Sequence, residues 1–253
     1  MLHSDLALAL DPALIFERMG LDADAWQLQL LRSASPRIAL NITRQAGKST
    51  ACAALAVWMA VYQSPALILL LSPALRQSQE LFKKVMDCYR ALGLTVPTQA
   101  ETALRLELSN GSRIISLPGK EETIRGYSGV SLLIVDEASR VEDELYYSVL
   151  PMLAVSGGRL VVPSTPFGKR GWWHEEWVNG AGWERMEIPA TDCPRISPAF
   201  LAEVRASMGD WWYQQEFMCQ FSSTVDQVFD FEFVNAAITA EVEPLFPLGV
   251  PYA

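Results

Sequence analysis

Two short stretches hold the side chains with the clearest potential for chemistry. Arg44-Gln45-Ala46-Gly47-Lys48-Ser49-Thr50 follows directly on the apolar, β-rich run Arg37 to Ile42 and leads into an uncharged, alanine-rich segment. A strand running into Gly-Lys-Ser-Thr and then into a helix suits phosphate binding. Loop amides and the helix N-terminus would face the phosphates, Lys48 would reach the β- and γ-phosphates, and Ser49 would ligate Mg²⁺. The strict pattern needs glycine where Ile42 stands, so a plain helix start with Gly47 and Ser49 near its N-terminus is the competing reading. The second stretch, Leu132-Leu133-Ile134-Val135-Asp136-Glu137, is four apolar strand residues ending in two carboxylates. Hydrolysis of ATP needs one acid to hold Mg²⁺ and one group to orient and deprotonate water. Asp136 fits the first role and Glu137 the second. One carboxylate alone would read as an exposed acidic turn; two matches in the right order favour a nucleotide site. A third run, Val161-Val162-Pro163-Ser164-Thr165-Pro166, ends in hydroxyl residues. Ser164 and Thr165 would lie beside the γ-phosphate if their strand neighbours the other two, because ligands of α/β folds bind at the carboxyl edge of the sheet. Taken alone, Ser-Thr-Pro is an ordinary turn.

Positioning these groups falls to alternating strands and helices, an α/β pattern that predicts a mostly parallel sheet with helices on both faces. Strand-like runs occur at Arg37 to Ile42, Ala66 to Leu71, Ser131 to Val135 and Arg159 to Pro163. Lys48 to Tyr62 lies between the first two, and Leu75 to Leu92 follows with Leu81, Val85, Met86 and Tyr89 at helical spacing. Leu104 to Leu117 alternates in the strand period around Ser109-Asn110-Gly111, which predicts a hairpin inserted as an antiparallel unit. After about Ile188 the texture changes, with Pro189, Pro194 and Pro198 in a loop and helical patterns at Pro198 to Met208 and Asp210 to Cys219. The expected division is a core over 1–190 and a small helical lid over 191–253.

With 253 residues, 50% hydrophobic and 19% charged, the chain can bury a substantial core, which excludes disorder. Its 20 Lys and Arg against 29 Asp and Glu leave a net charge of −9, so no global basic field would hold it on nucleic acid or an anionic membrane. Four cysteines without a CxxC or Cys/His cluster argue against a zinc site and a disulfide scaffold. The N-terminal stretch, with Asp5 and Asp11 before any Lys or Arg, lacks signal-peptide order. Residues 49–75 carry no charge, yet Gln63-Ser64-Pro65 interrupts them, so a buried helix followed by a buried strand is expected rather than a membrane span.

Together these segments resemble the ATPase domain of large terminase subunits, the motors that package DNA into tailed-phage heads. Arg44 to Thr50 is similar to that family's variant Walker A, in which Arg-Gln precedes Gly-Lys-Ser/Thr and the early glycine is often absent. Asp136-Glu137 resembles its Walker B acid and catalytic glutamate, and Ser164-Thr165-Pro166 its coupling motif. Trp26-Gln27 is similar to its adenine-recognising Q motif, Ser72-Pro73 with Gln77 to the segment after the second strand, and Arg125-Gly126 to an arginine set before Walker B. Trp212, Glu216 and Phe221 sit in a stretch that also looks like the family. The resemblance implies a P-loop NTPase of the ASCE, RecA-like kind. In it Gln27 and Gln45 to Thr50 would bind the nucleotide, Ser49 and Asp136 would hold Mg²⁺, and Glu137, Arg44 and Arg125 would be catalytic, the arginines as candidate fingers.

It further implies ATP and Mg²⁺ as cofactors and transient, sequence-independent contact with double-stranded DNA. A portal protein and a small terminase subunit would be partners of a ring working in the cytoplasm of an infected or lysogenic bacterial host. Lys83-Lys84, Arg113 and Lys169-Arg170 are the candidate DNA contacts. Large terminases usually continue into an RNase H-like nuclease; here the chain stops at Ala253, so no nuclease is expected from it. Asp226, Asp230, Glu232, Glu241 and Glu243 follow no metal-ligand pattern and read as a solvated acidic face. A helicase-like ATPase and a non-catalytic prophage-remnant module are the competing functional readings.

Overall fold

Each β-rich run becomes a strand whose apolar residues point alternately to two helical layers. The computed structural model describes residues 2–93, 95–119 and 126–222, together with residue 237. In chain order the elements before the phosphate-loop sequence are α1 (Leu2–Leu10), α2 (Ile15–Arg18), α3 (Ala25–Arg32) and β1 (Arg37–Ile42). There follow α4 (Lys48–Tyr62), β2 (Leu67–Ser72), α5 (Leu75–Ala91), β3 (Thr98–Thr102), β4 (Arg105–Leu108), β5 (Arg113–Pro118) and β6 (Leu132–Val135). The rest are α6 (Asp143–Val149), β7 (Arg159–Ser164), α7 (Gly171–Val178), β8 (Glu184–Ile188), α8 (Pro198–Met208) and α9 (Asp210–Glu216).

One sheet runs β3-β4-β5-β2-β6-β7-β1-β8 among the described residues. From β5 to β8 every neighbouring pair is parallel, so the carboxyl ends of β1, β6 and β7 lie along one edge. Because β7 sits between β6 and β1, the hydroxyl-rich strand end falls between the phosphate loop and the carboxylate pair. Asn41, next to last in β1, is opposite Ser164 on one side and Glu187 on the other.

On one face Ile38, Leu40, Ile42, Ile68, Leu70 and Ile134 pack against α3, α4 and α5. On the other, Ala39, Leu69, Leu71, Leu133, Val135 and Val162 meet Tyr146, Trp172 and Trp173 of α6 and α7. Each buried aliphatic side chain contributes about 1.5–3 kcal/mol. The uncharged stretch is explained by α4, which is buried from Ala51 to Val61, and then by β2, buried throughout. Among the described residues no helix is long and apolar enough to cross a membrane.

Two expectations are revised and one strand is additional. The Leu104 to Leu117 hairpin forms, with Gly111 at φ 85° and the Asn110 side chain accepting from the Ser112 amide at 3.0 Å. It is no separate insertion, however, because β5 pairs in parallel with β2 and carries the hairpin into the main sheet. β8 extends the sheet beyond β1, although its exposed Arg185 and Glu187 hide it among charges. The helix expected over Asp210 to Cys219 ends at Glu216, and residues 217–219 turn back onto β1 and β8. Leu201 of α8 and Tyr213 of α9 bury a small cluster with Ala190, flanked by Ile196, Phe217 and Met218.

Candidate functional site

The phosphate loop forms where β1 ends and the chain must turn sharply into α4. Ile42 is a fully buried strand residue, so the glycine that the strict pattern puts there has no role in the turn. Two other residues supply the left-handed backbone: Gln45 at φ 62° and Gly47 at φ 90°. Gly47 is additionally confined, since a Cβ there would lie 2.8 Å from Gln27 Nε2 and 3.5 Å from Arg195 Nη2. Both the Thr50 and Ala51 amides donate back to the Gly47 carbonyl at 3.1 Å, starting the helix that carries Lys48 and Ser49 in its first turn.

The two motifs, remote in sequence, meet directly. The Lys48 ammonium forms an ion pair with the Glu137 carboxylate, and both side chains are largely covered. Glu137 itself is left-handed, at φ 52°, which turns its carboxylate away from the β6 direction and toward the loop. Asp136 directly follows β6, its amide donating to the Leu71 carbonyl at 2.8 Å, and is buried with its Oδ1 accepting the Glu137 amide at 3.1 Å. Burial pushes the Asp136 carboxyl up to about 6 and the neighbouring Glu137 adds to this, while the Lys48 charge and the Glu137 amide pull it down.

A cleft of about 310 Å³ opens over this pair, lined by Arg44, Gln45, Gly47, Lys48, Ser49, Thr50, Gln77, Lys84, Glu137 and Arg140. Four cations against one carboxylate, in a chain of net charge −9, make it a local anion site. Gly47 and Thr50 also border a second cleft of about 790 Å³, walled by Phe16, Leu21, Asp24, Gln27, Pro194 and Arg195. The two clefts together suit a ligand with an anionic end and a flat body.

The predicted residues fall into place unevenly. Gln27 is buried, its Oε1 accepting the Asp24 amide at 2.9 Å in a helix cap, which leaves its Nε2 against the loop at Gly47. Ala46 is buried, and its carbonyl accepts from Arg195 at 2.8 Å. Arg44 lines the first cleft but is ion-paired with Glu216. Thr43 donates to the Glu216 carbonyl at 3.1 Å and Asn41 to the Cys219 carbonyl at 2.7 Å, so the segment after α9 is strapped to the root of the loop. Trp212 is exposed, whereas Phe221 packs 5.3 Å from Trp173. Arg125, Asp226, Asp230, Glu232, Glu241 and Glu243 lie outside the described residues.

Ser164 and Thr165 are tied to the carboxylate turn. The Ser164 hydroxyl accepts the Ser139 amide at 3.0 Å and donates to the Ser139 hydroxyl at 2.7 Å, which donates to the Thr165 carbonyl at 2.8 Å. Of the basic candidates, Lys84 is exposed at the rim of the cleft and donates to Thr50 Oγ1 at 3.4 Å. Arg113 begins β5 and so stands at the sheet edge opposite the site, while Lys169 and Arg170 lie in the loop after β7, on the site's edge.

Sequence reasoning overlooked Ser139, Arg140 and Arg195, and named Lys84 only as a candidate DNA contact. Arg195 holds Asp24 through two bonds of 2.9 and 2.6 Å as well as the loop carbonyl. Its signal would have been an arginine just past the change of texture near Ile188; Arg140 and Ser139 had the cue of lying within three residues of Glu137.

Comparison with known proteins matches residues 40–235 to the family model described as terminase large subunit, T4-like-virus type, N-terminal. A large terminase subunit of Thermus phage G20c is 25% identical, covering 85% of this chain and 52% of that protein. The chain thus spans about half the length of the curated relatives it matches. In fold it is similar to the Thermus phage P74-26 large terminase ATPase domain, with TM-score 0.73, 21% identity, and 82% of this chain and 97% of that one covered. The large terminase of another thermophilic bacteriophage, solved with ADP, gives TM-score 0.64 at 13% identity, covering 79% of this chain and 54% of that one.

Proposed function

The chain belongs to the family of large terminase subunits of the T4-like-virus type, and from that membership we propose that it is an ATP-hydrolysing motor segment that drives double-stranded DNA into a phage head. The observation that carries this reading is the cleft in which Lys48, paired with Glu137, is joined by three further cations at the carboxyl edge of the sheet.

Phosphates fit that cleft by charge, and the larger cleft beside Gln27 and Arg195 takes the base and sugar. The thermophilic-phage terminase solved with ADP and with ATP-γ-S accords with this assignment. Lys48 releases Glu137 as it takes up the phosphate charge, which frees the Glu137 carboxylate to orient water and accept its proton. Arg44 and Arg125 are the candidates to neutralise charge on the transferring phosphoryl group, Arg44 after leaving Glu216. Mg²⁺ suits the donor set, because the Ser49 hydroxyl in the cleft and the buried Asp136 carboxylate beside Glu137 are hard oxygen donors that would hold it while phosphate and water fill the remainder. When bound, Mg²⁺ supplies charge neutralisation at the phosphate oxygens.

The bonds from Ser139 to Ser164 and Thr165 give a path by which a change at the carboxylate turn reaches β7. Residues 191–253 act as the lid over a 1–190 core, with Arg195 as the lid's contact to the loop. DNA contact runs through phosphates and needs only local basic surface, for which Lys169 and Arg170 are the best-placed pair. Double-stranded DNA, a portal protein and a small terminase subunit are the partners, and a ring of copies in the bacterial cytoplasm is the working form.

The test is steady-state phosphate release with Mg²⁺ for the wild type, Lys48→Ala and Glu137→Gln, with and without linear duplex DNA. Hydrolysis lost in both variants and raised by DNA in the wild type is the expected result. A wild type that neither binds nor hydrolyses ATP removes the reading, and strand separation of a forked duplex replaces it with a helicase.

A further inference from the structure

Arg140, one of the four cations of the cleft, has no individual role in the assignments above, yet its position is distinctive. It closes the single 3-10 turn Ala138–Arg140 that Glu137 begins, and its amide donates to the Glu137 carbonyl at 2.9 Å. A displacement of Glu137 and a displacement of Arg140 are therefore one motion. Its side chain lines the anion cleft with Lys48 and Ser49. Its guanidinium stands 4.3 Å from the centre of the Phe167 ring, and the Arg170 guanidinium stands 5.0 Å from the same ring. No carboxylate of the described residues is within ion-pair distance of Arg140. Two cations sharing one aromatic ring repel each other, and at an exposed site a cation is held only weakly by a ring. An anionic ligand in the cleft offers the stronger partner, because a charge-assisted bond to a phosphate outweighs a ring contact.

We propose that Arg140 is a positioning residue that reads the terminal phosphate, leaving Phe167 when that phosphate is present and returning when it is lost, so that the Phe167–Arg170 turn registers nucleotide state. The inference rests on the reading of the cleft as an ATP site. Phe167 directly follows Ser164-Thr165-Pro166, and Arg170 caps α7, so the ring lies between the phosphate cleft and the basic Lys169-Arg170 pair. With Arg140 on the phosphate, Arg170 holds the ring alone; with the phosphate gone, the two cations compete for it. The relay thus changes the setting of the basic turn without needing a rearrangement of the core.

Equilibrium binding of ATP-γ-S and ADP to the full 253-residue chain, with Mg²⁺, tests this in the wild type, Arg140→Gln, Arg140→Lys and Phe167→Leu. Arg140→Gln weakens ATP-γ-S about tenfold and leaves ADP within about twofold, the value of one charge-assisted contact. Arg140→Lys keeps the charge without the planar fork and falls between wild type and Arg140→Gln. Phe167→Leu removes the competitor and tightens ATP-γ-S about threefold relative to ADP. Equal losses for the two nucleotides, or none, overturn the inference, because a purely structural role does not distinguish them. If the wild type and Lys48→Ala bind ATP-γ-S equally poorly, the ATP-site reading fails and the inference falls with it. Binding by the wild type with an unchanged ratio in Arg140→Gln removes the inference alone.

Discussion

Lys48 and Glu137, 89 positions apart in the chain, neutralise each other across the cleft between the ends of β1 and β6. On the proposed reading, a phosphate taken up by Lys48 would also release the Glu137 carboxylate. Comparing the loss of each partner separates binding from chemistry. Lys48→Ala is expected to abolish both nucleotide binding and hydrolysis. Glu137→Gln keeps binding and lowers turnover about 10²–10⁴-fold, the usual worth of a general base. Isothermal titration with ATP-γ-S alongside phosphate release separates the two outcomes. Equal turnover in the wild type and Glu137→Gln would exclude Glu137 as the base.

Asp136 gives the metal-free protein a pH dependence of definite sign. Its folded carboxyl, pushed up to about 6 chiefly by burial, lies above its ordinary value of 3.8, so the folded state holds the proton longer than the unfolded state. Stability from this group is complete below about pH 4 and is lost as pH rises through about 6, in total about 3 kcal/mol. In EDTA, Asp136→Asn should therefore raise the midpoint of thermal unfolding at pH 7.5 and have little effect at pH 4, while ending Mg²⁺-dependent hydrolysis. A variant less stable than wild type at pH 7.5 would refute the assignment.

Gly47 is irreplaceable for two separable reasons. Alanine at φ 90° costs about 1–2 kcal/mol of backbone strain, and its Cβ would press on Gln27 Nε2. Gly47→Ala should lose ATP-γ-S binding and unfold at lower temperature. Adding Gln27→Ala should recover part of the stability, because it relieves the contact and leaves the strain. Full recovery in the double variant would show that strain is negligible there.

Ser139 is the link between the carboxylate turn and β7. Ser139→Ala keeps the amide bond to Ser164 but deletes the hydroxyl bonds, at a cost of about 1 kcal/mol. Hydrolysis without DNA should stay within about threefold of wild type, while the increment added by duplex DNA shrinks, if these bonds carry coupling. An intact DNA increment would assign them to stability alone.

Arg195 ties the segment beyond β8 to the phosphate loop. Arg195→Ala removes two bonds to Asp24 and one to the Ala46 carbonyl. The expected result is a KM for ATP raised about tenfold with kcat changed less than about threefold, since these bonds border the second cleft, whose lining does not include Glu137. A fall in kcat with KM unchanged would place Arg195 in the chemistry instead.

What the sequence determined by itself was the chemistry that depends on neighbours along the chain. A strand, a glycine with positive φ, a lysine and a helix start occupy one continuous stretch from Arg37 to Tyr62, and Leu132 to Glu137 is equally self-contained. The uncharged run resolved correctly into α4 and β2 because Gln63-Ser64-Pro65 breaks it. Tertiary structure decided whatever depends on residues far apart. Only the strand order reveals that β7 separates β6 from β1, that the hairpin joins the main sheet, and that β8 exists despite its charged outer face. The same holds for the contact of the exposed Lys84 of α5 with Thr50 beside the loop. Arg140 and Arg195 are ordinary surface arginines in sequence. They become parts of the site because folding brings Phe167 within 4.3 Å of one and the Ala46 carbonyl within 2.8 Å of the other, and the direction of a long side chain is set by those distant partners rather than by its neighbours in the chain.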